Sequence, residues 1–264
     1  MYPTVLVIDI GNTNMEFGVF VGDSLQHKFR LSTNKAITSD ELGLSVTQFF
    51  ALNGLDRFQV QDIVISSVVP QLNYTVQNMV RKYFDKEALL VGENLPVDIV
   101  NRYGNPSEVG ADRLVTAVAA CHKYGAPLIV VDFGTATTFD VVDCDGAYLG
   151  GAIYPGLKIS MDALVERTAK LPRVEIEVPE TGAIGVSTVT SMQSGIIYGY
   201  AGAVSNIVEK LSQQLGAPAK VVGTGGLAKT VGQEYHNFCA IDKTLILDGI
   251  KLLYDRHISR QRGC

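Results

Sequence analysis

One short pattern occurs twice in this chain, and it constrains the fold more than any other feature. Asp9-Ile10-Gly11-Asn12-Thr13 follows the apolar run Val5-Leu6-Val7-Ile8, and Asp132-Phe133-Gly134-Thr135-Ala136-Thr137 follows Leu128-Ile129-Val130-Val131. In each copy a carboxylate stands where the run ends, then glycine, then hydroxyl-bearing residues. A second apolar run follows, Phe17-Gly18-Val19-Phe20 in one copy and Phe139-Asp140-Val141-Val142 in the other. Turn signals at Gly22-Asp23 and Asp145-Gly146 lie at the same distance from their aspartates. Two hairpins with matching Asp-x-Gly turns predict a duplicated fold gripping one polyanion between its halves. Phosphate chemistry is the first expectation.

A chain of 264 residues fits two domains, or one large one, at roughly 150 residues per domain. The apolar fraction of 47% and charged fraction of 19% are those of an ordinary globular protein. A net charge of −5, with no stripe of Lys or Arg, argues against a nucleic-acid partner. No apolar run approaches the ~20 residues that span a bilayer, so no membrane partner is expected. The N-terminus enters a strand at once and lacks the basic and apolar regions of a signal peptide. Cys121, Cys144, Cys239 and Cys264 are scattered, without a Cys-x-x-Cys pair. They read as reduced thiols of a cytoplasmic protein.

Further along, residues 25–31 read as a third strand. Thr38-Ser39-Asp40-Glu41 is a cap-like start ahead of the helically spaced Leu42, Val46 and Phe49-Phe50. Residues 60–69 form a β-rich run ended by Pro70, residues 73–84 a helix, and residues 88–91 a short strand. From Leu128 the theme repeats, adding a long helix over 188–215, a strand over 220–223 and a helix start at 227–231. Between the halves, residues 101–126 hold a polar turn and one helix, where a cleft is expected. Strands alternating with helices indicate an α/β architecture.

Three stretches carry chemistry. In the Asp9 turn, Gly11 can bring backbone N–H groups close to a phosphate, while Asn12, Thr13 and Asn14 offer side-chain donors. Asp9 would repel the phosphate directly, so it would act through Mg²⁺ and its waters. A plain hairpin turn explains the stretch less well once it recurs with the same flanks. In Asn105-Pro106-Ser107-Glu108-Val109-Gly110-Ala111-Asp112-Arg113, a turn runs into an apolar helix and sets Asp112 and Arg113 in its first turn. There the helix dipole favours an ionised carboxylate. A general base and a simple helix-terminus residue are equally open readings of Asp112. Gly223-Thr224-Gly225-Gly226, after a strand and before a helix, could bring backbone to a nucleotide. It matches neither the P-loop nor the Rossmann fingerprint. Gly150-Gly151-Ala152-Ile153-Tyr154-Pro155-Gly156 reads as a tight glycine-rich turn after a strand. The four histidines show no ligand spacing, and no Gly-x-Ser-x-Gly elbow is present.

Taken together, Asp9 to Thr13, Asn105-Pro106 with Gly110 to Arg113, Asp132 to Thr137, Gly150 to Gly156, Met192-Gln193-Ser194-Gly195 and Thr224-Gly225-Gly226 resemble the type III pantothenate kinases over essentially the full chain. That family sits in the superfamily of acetate and sugar kinases, heat-shock chaperone ATPases and actin. The resemblance implies duplicated ribonuclease H-like (actin-like ATPase) domains with a central cleft, over residues 1–114 and 115–264. It implies ATP-dependent phosphorylation of the primary hydroxyl of pantothenate, the first step towards coenzyme A. By motif match Asp9, Ile10, Gly11, Asn12, Thr13, Asn14, Met15 and Glu16 form the phosphate turn, with Asp9 organising Mg²⁺. Asp112 matches the general base, and Tyr103, Gly110, Ala111, Arg113 and Thr188 match substrate contacts in a pocket completed across a homodimer. Asp132 matches the site of a monovalent cation, K⁺ or NH₄⁺, and Thr135 a nucleotide contact. Glu16 is less expected at the end of that turn, and a structural role suits it better. The twin turns alone leave open a sugar or acetate-type kinase, or a nucleotide-dependent regulatory protein of the same fold.

Overall fold

A computed structural model describes residues 3–262, and in it both Asp-x-Gly patterns close antiparallel hairpins. β1 (Thr4–Ile10) turns into β2 (Asn14–Val21) and then β3 (Ser24–Ser32). In the second half β6 (Leu128–Phe133), β7 (Ala136–Val142) and β8 (Tyr148–Pro155) do the same. β1 and β6 are buried along most of their length, which explains their continuous apolar runs, since a strand covered on both faces does not alternate. β4 (Val60–Ser67) lies parallel to β1, and β5 (Ala88–Leu90) parallel to β4. β9 (Lys220–Gly225) and β10 (Ala240–Ile241) extend the second sheet from β6 in the same way.

The strand orders are β3-β2-β1-β4-β5 and β8-β7-β6-β9-β10, so the repeat extends from two turns to two whole sheets. A register shift between Val19 and Phe20 recurs between Val141 and Val142. The hairpin turns differ slightly: residues 11–14 separate the paired Ile10 and Met15, but only 134–136 separate Phe133 and Thr137.

On one face of the first sheet lie α1 (Ser39–Leu52) and α2 (Pro70–Phe84), burying Leu6, Ile8, Ile10 and Phe17 against Leu42, Phe50, Leu72 and Phe84. α1 starts with a reciprocal capping box between Thr38 and Glu41. α2 begins at Pro70, ahead of the expected Asn73, because proline's fixed φ suits the first helical position. The other face meets α7 (Leu245–Arg262): Leu247 packs at Gly18, and the Tyr254 hydroxyl donates to Asp62 at 2.6 Å. The buried Lys251 pairs with Asp255 at 2.6 Å and lies over the Phe20 ring. Next to α7 runs α3 (Ala111–Tyr124), drawn close at Gly249, where a Cβ would come 2.6 Å from the Val115 carbonyl.

The second sheet buries Ile129, Val131 and Phe133 against Ile197, Tyr200 and Val204 of α5 (Thr188–Leu215), joined by α4 (Leu157–Arg167) and the single turn α6 (Ala228–Val231). Neither α4 nor α7 is evident from the sequence pattern. The glycine-rich stretch from Gly150 lies inside β8 rather than in a turn, since Gly151 backs onto the Phe139 carbonyl where a Cβ would overlap it. One compact unit gathers the chain up to Asp98, Ser107–Ala119 and the chain from Ile246 onward; the other holds Ile99–Pro106 and Ala120–Leu245. Among the described residues, no helix is long and apolar enough to cross a membrane.

Candidate active site

Asp9 ends β1 half-buried, in register with Glu16 on β2 and Ser66 on β4. The Gly11 N–H closes the turn on the Asn14 carbonyl at 3.0 Å. Thr33 locks it from the end of β3: its N–H donates to the Thr13 carbonyl at 2.9 Å and its hydroxyl to the Gly11 carbonyl at 2.6 Å. Asn12 and Thr13 stand exposed, and Asn14 is half-buried. Ile10 and Met15 are wholly buried in the core, so only their backbone could meet a ligand. Glu16 is held by Arg30 at 2.5 Å. Ser66 is fully buried and its Oγ has no hydrogen-bond partner. Residues in register on neighbouring strands share a face, so this orphaned hydroxyl lies on Asp9's side of the sheet.

The segment after β4 ties this corner to α3. The Val68 N–H donates to the Ile10 carbonyl at 3.0 Å, and a Cβ on Gly110 would lie 3.4 Å from Val68 Cγ1 and 2.5 Å from Asp112 Oδ1. Glycine at 110 thus lets the Asp112 carboxylate fold back over the turn. There Asp112 Oδ1 accepts the Arg113 N–H at 2.8 Å. Burial pushes the Asp112 carboxyl above its ordinary pKa, and the Arg113 N–H and positive charge offset only part of that. The Asp9 turn, Gly110, Ala111, Asp112 and Arg113 therefore belong to one unit, with Val68 joining the turn to Gly110.

The remaining candidates lie in the other unit. Asp132 ends β6 in register with Thr138 on β7 and Thr224 on β9. Gly225, at φ +87°, lies against Asp132 Oδ1, where any Cβ would collide with that oxygen. Thr135 is exposed at the hairpin turn. Gly156, the N-cap of α4, presses on the Thr135 carbonyl, so a helix N-terminus adjoins this turn. The signal for it was Pro155-Gly156 ahead of Leu157, which reads equally well as a plain turn. The Tyr103 N–H donates to Asn101 Oδ1 at 3.0 Å, and its ring lies on Gly150, whose φ of +119° and crowded Cβ position both require glycine. Thr188 is the exposed first residue of α5, after a Ser187–Thr190 capping box. With Leu164, Leu171, Met192 and Ile196 it lines an open cavity of about 560 Å³.

Among the described residues no group of three or more His, Cys, Asp or Glu could enclose a metal. A Mg²⁺ arriving with nucleotide phosphates needs only one or two protein carboxylates, because water and phosphate supply the rest. Asp9, beside the unsatisfied Ser66 hydroxyl, fits that chemistry. The cradle that Gly225 leaves beside Asp132 Oδ1 fits a cation bound by oxygen.

A family model described as type III pantothenate kinase matches residues 5–210. A type III pantothenate kinase of Brevibacillus brevis is 48% identical over 97% of this chain and 100% of that protein. One of Geobacillus kaustophilus is 44% identical over 97% and 99%. Among solved structures, component A of (R)-2-hydroxyglutaryl-CoA dehydratase from Acidaminococcus fermentans aligns with TM-score 0.53 at 15% identity, over 96% of this chain and 97% of that one. The ethanolamine utilization protein EutJ of Carboxydothermus hydrogenoformans aligns with TM-score 0.55 at 14% identity, over 95% and 90%. At such identities the likeness speaks for the fold, which is that of the actin-like ATPases and sugar kinases.

Proposed function

The chain belongs to the type III pantothenate kinase family, and we propose from this that it uses ATP to phosphorylate the primary hydroxyl of pantothenate, the first step of coenzyme A biosynthesis. Family membership over the bulk of the chain carries the reaction; the place of Asp112 supports its role as general base. Burial raises its pKa, which makes the carboxylate a stronger base than an exposed aspartate. The Arg113 N–H at 2.8 Å fixes its orientation, and Asp112 takes the hydroxyl proton as the oxygen attacks the γ-phosphate. Phosphoryl transfer asks mainly for alignment and charge neutralisation, and the other residues divide that work. The Asp9 turn receives the phosphates through the donors of Asn12, Thr13 and Asn14. Gly110, Ala111 and Arg113, with Tyr103 and Thr188, hold pantothenate, and Thr135 touches the nucleotide. Mg²⁺ at Asp9 and K⁺ or NH₄⁺ at Asp132 supply positive charge to the phosphates when bound.

The protein works as a cytoplasmic homodimer. The support is local: Ile184, Val186 and Val189, next to Thr188 in sequence, are 81%, 78% and 41% exposed, an apolar surface that a second copy would cover.

The test measures ATP consumption with pantothenate, with glucose or acetate, and with no acceptor, each with and without K⁺. Turnover that depends on pantothenate and rises with K⁺ is expected; ATP consumption indifferent to pantothenate overturns the reading. Asp112→Asn is expected to lower kcat by about 10²–10⁴-fold with ATP affinity nearly unchanged. Near-normal turnover would exclude Asp112 as the base.

A further inference from the structure

We propose that Asp242 is a positioning residue for the nucleotide side of the site: it clamps Gly223-Thr224-Gly225 at the end of β9 and, through that strand end, sets the Asp132 carboxylate. The inference rests on reading Asp132 and this glycine-rich strand end as the cation and nucleotide elements of the kinase. Asp242 follows β10 and precedes α7, outside every motif in the sequence. Its N–H donates to the Gly223 carbonyl at 2.8 Å, and its own carbonyl accepts the Thr224 hydroxyl at 2.6 Å. One residue's backbone thus brackets the end of β9.

The Asp242 side chain, 10% exposed, makes that bracket rigid. Its carboxylate accepts from Lys123 Nζ at 2.7 Å, the Tyr124 hydroxyl at 2.9 Å, the Thr244 N–H at 3.0 Å and the Thr244 hydroxyl at 3.1 Å. Lys123 and Tyr124 are the last residues of α3, so the clamp fastens the end of β9 to a helix end. Burial pushes the Asp242 carboxyl up, but Lys123, the Thr244 N–H and Tyr124 together hold it below the usual carboxylate range. Thr224 is in register with Asp132, and Gly225 lies directly against Asp132 Oδ1. In a close-packed interior, a shift of this backbone has to move the carboxylate.

The repeated architecture supplies an internal contrast. Ser66 stands in register with Asp9 as Thr224 stands with Asp132. Yet the Ser66 hydroxyl has no partner, whereas that of Thr224 is buried and bound to Asp242.

The test is calorimetric titration of the full chain with ADP, with and without K⁺, for the unaltered protein and for Asp242→Asn, Thr224→Val and Thr224→Ser. Asp242→Asn and Thr224→Val are expected to weaken ADP binding about tenfold, the cost of one to two hydrogen bonds, and to blunt its response to K⁺. Thr224→Ser keeps the hydroxyl and is expected to bind more like the unaltered protein than Thr224→Val does. KM for pantothenate is expected to hold in all three. Unaltered ADP affinity and K⁺ response in both disruptive variants overturn the clamp. So does a parallel loss of ADP and pantothenate binding with a lowered Tm that Thr224→Ser shares, because that marks a general brace. Thr224→Val, nearly isosteric, keeps the test decisive should Asp242→Asn fail to fold. If the variants show the ADP pattern but the unaltered protein does not phosphorylate pantothenate, the proposed function falls and the clamp stands. If it phosphorylates pantothenate and the pattern is missing, the clamp alone falls.

Discussion

At Asp112 burial and a neighbouring guanidinium pull in opposite directions, and burial wins. Two consequences follow at this one residue. As pH falls through the raised pKa the base becomes protonated, so the acid limb of kcat/KM for pantothenate is expected above the range of an ordinary aspartate. A profile that stays flat down to the usual carboxylate range would count against Asp112. The second consequence concerns stability: a carboxyl whose pKa rises on folding destabilises the folded state where it is ionised. Asp112→Asn is therefore expected to resist urea better than the parent at neutral pH, a gain bought with activity. Asp242 has the opposite sign, since its folded pKa is depressed. Its stabilising contribution is present above the unfolded pKa and is lost as pH falls through the folded one. Asp242→Asn should accordingly flatten the acid side of the stability curve, measured as urea midpoints across pH.

Single elements show why some parts of this molecule can be read from sequence and others cannot. The start of α1 is local: Thr38 and Glu41 satisfy each other's orphan groups at the helix end. Thr38→Ala is expected to cost about 1 kcal/mol, read from the urea midpoint. α5 is legible for the same reason, with Ser187 capping its start and Gly216 in the left-handed region at φ +70° closing its end. The signals around Asp9, Asp112 and Asp132 are also local, each aspartate standing beside a turn glycine. What escapes is set at long range. Gly150 and Gly151 look like a turn but belong to β8, because the Tyr103 ring and the Phe139 carbonyl occupy the space their side chains would need. Gly151→Ala is expected to break the pairing of β7 and β8 and leave little soluble protein. Asp242 is one aspartate among many in the sequence, and its role depends on Lys123 and Thr224, far away along the chain.

For the whole molecule, the repeat in two turns proves to be a repeat of two sheets, down to strand order and the paired register shifts. The units nevertheless do not follow the chain in simple order, since the first unit draws on residues from Ile246 onward. A chain ended after Leu245 is expected to keep slow amide exchange in β6, β7 and β9 while losing it in β1 and β4. Protection retained in β1 would contradict that. This arrangement also bears on manufacture in the cell. A ribosome makes β1 first, yet the helix that closes over Gly18 and Asp62 is the last described element to emerge. The half begun first is thus the half finished last. Until that helix emerges, the growing chain carries one sheet with an uncovered greasy side, the kind of surface that holding chaperones bind.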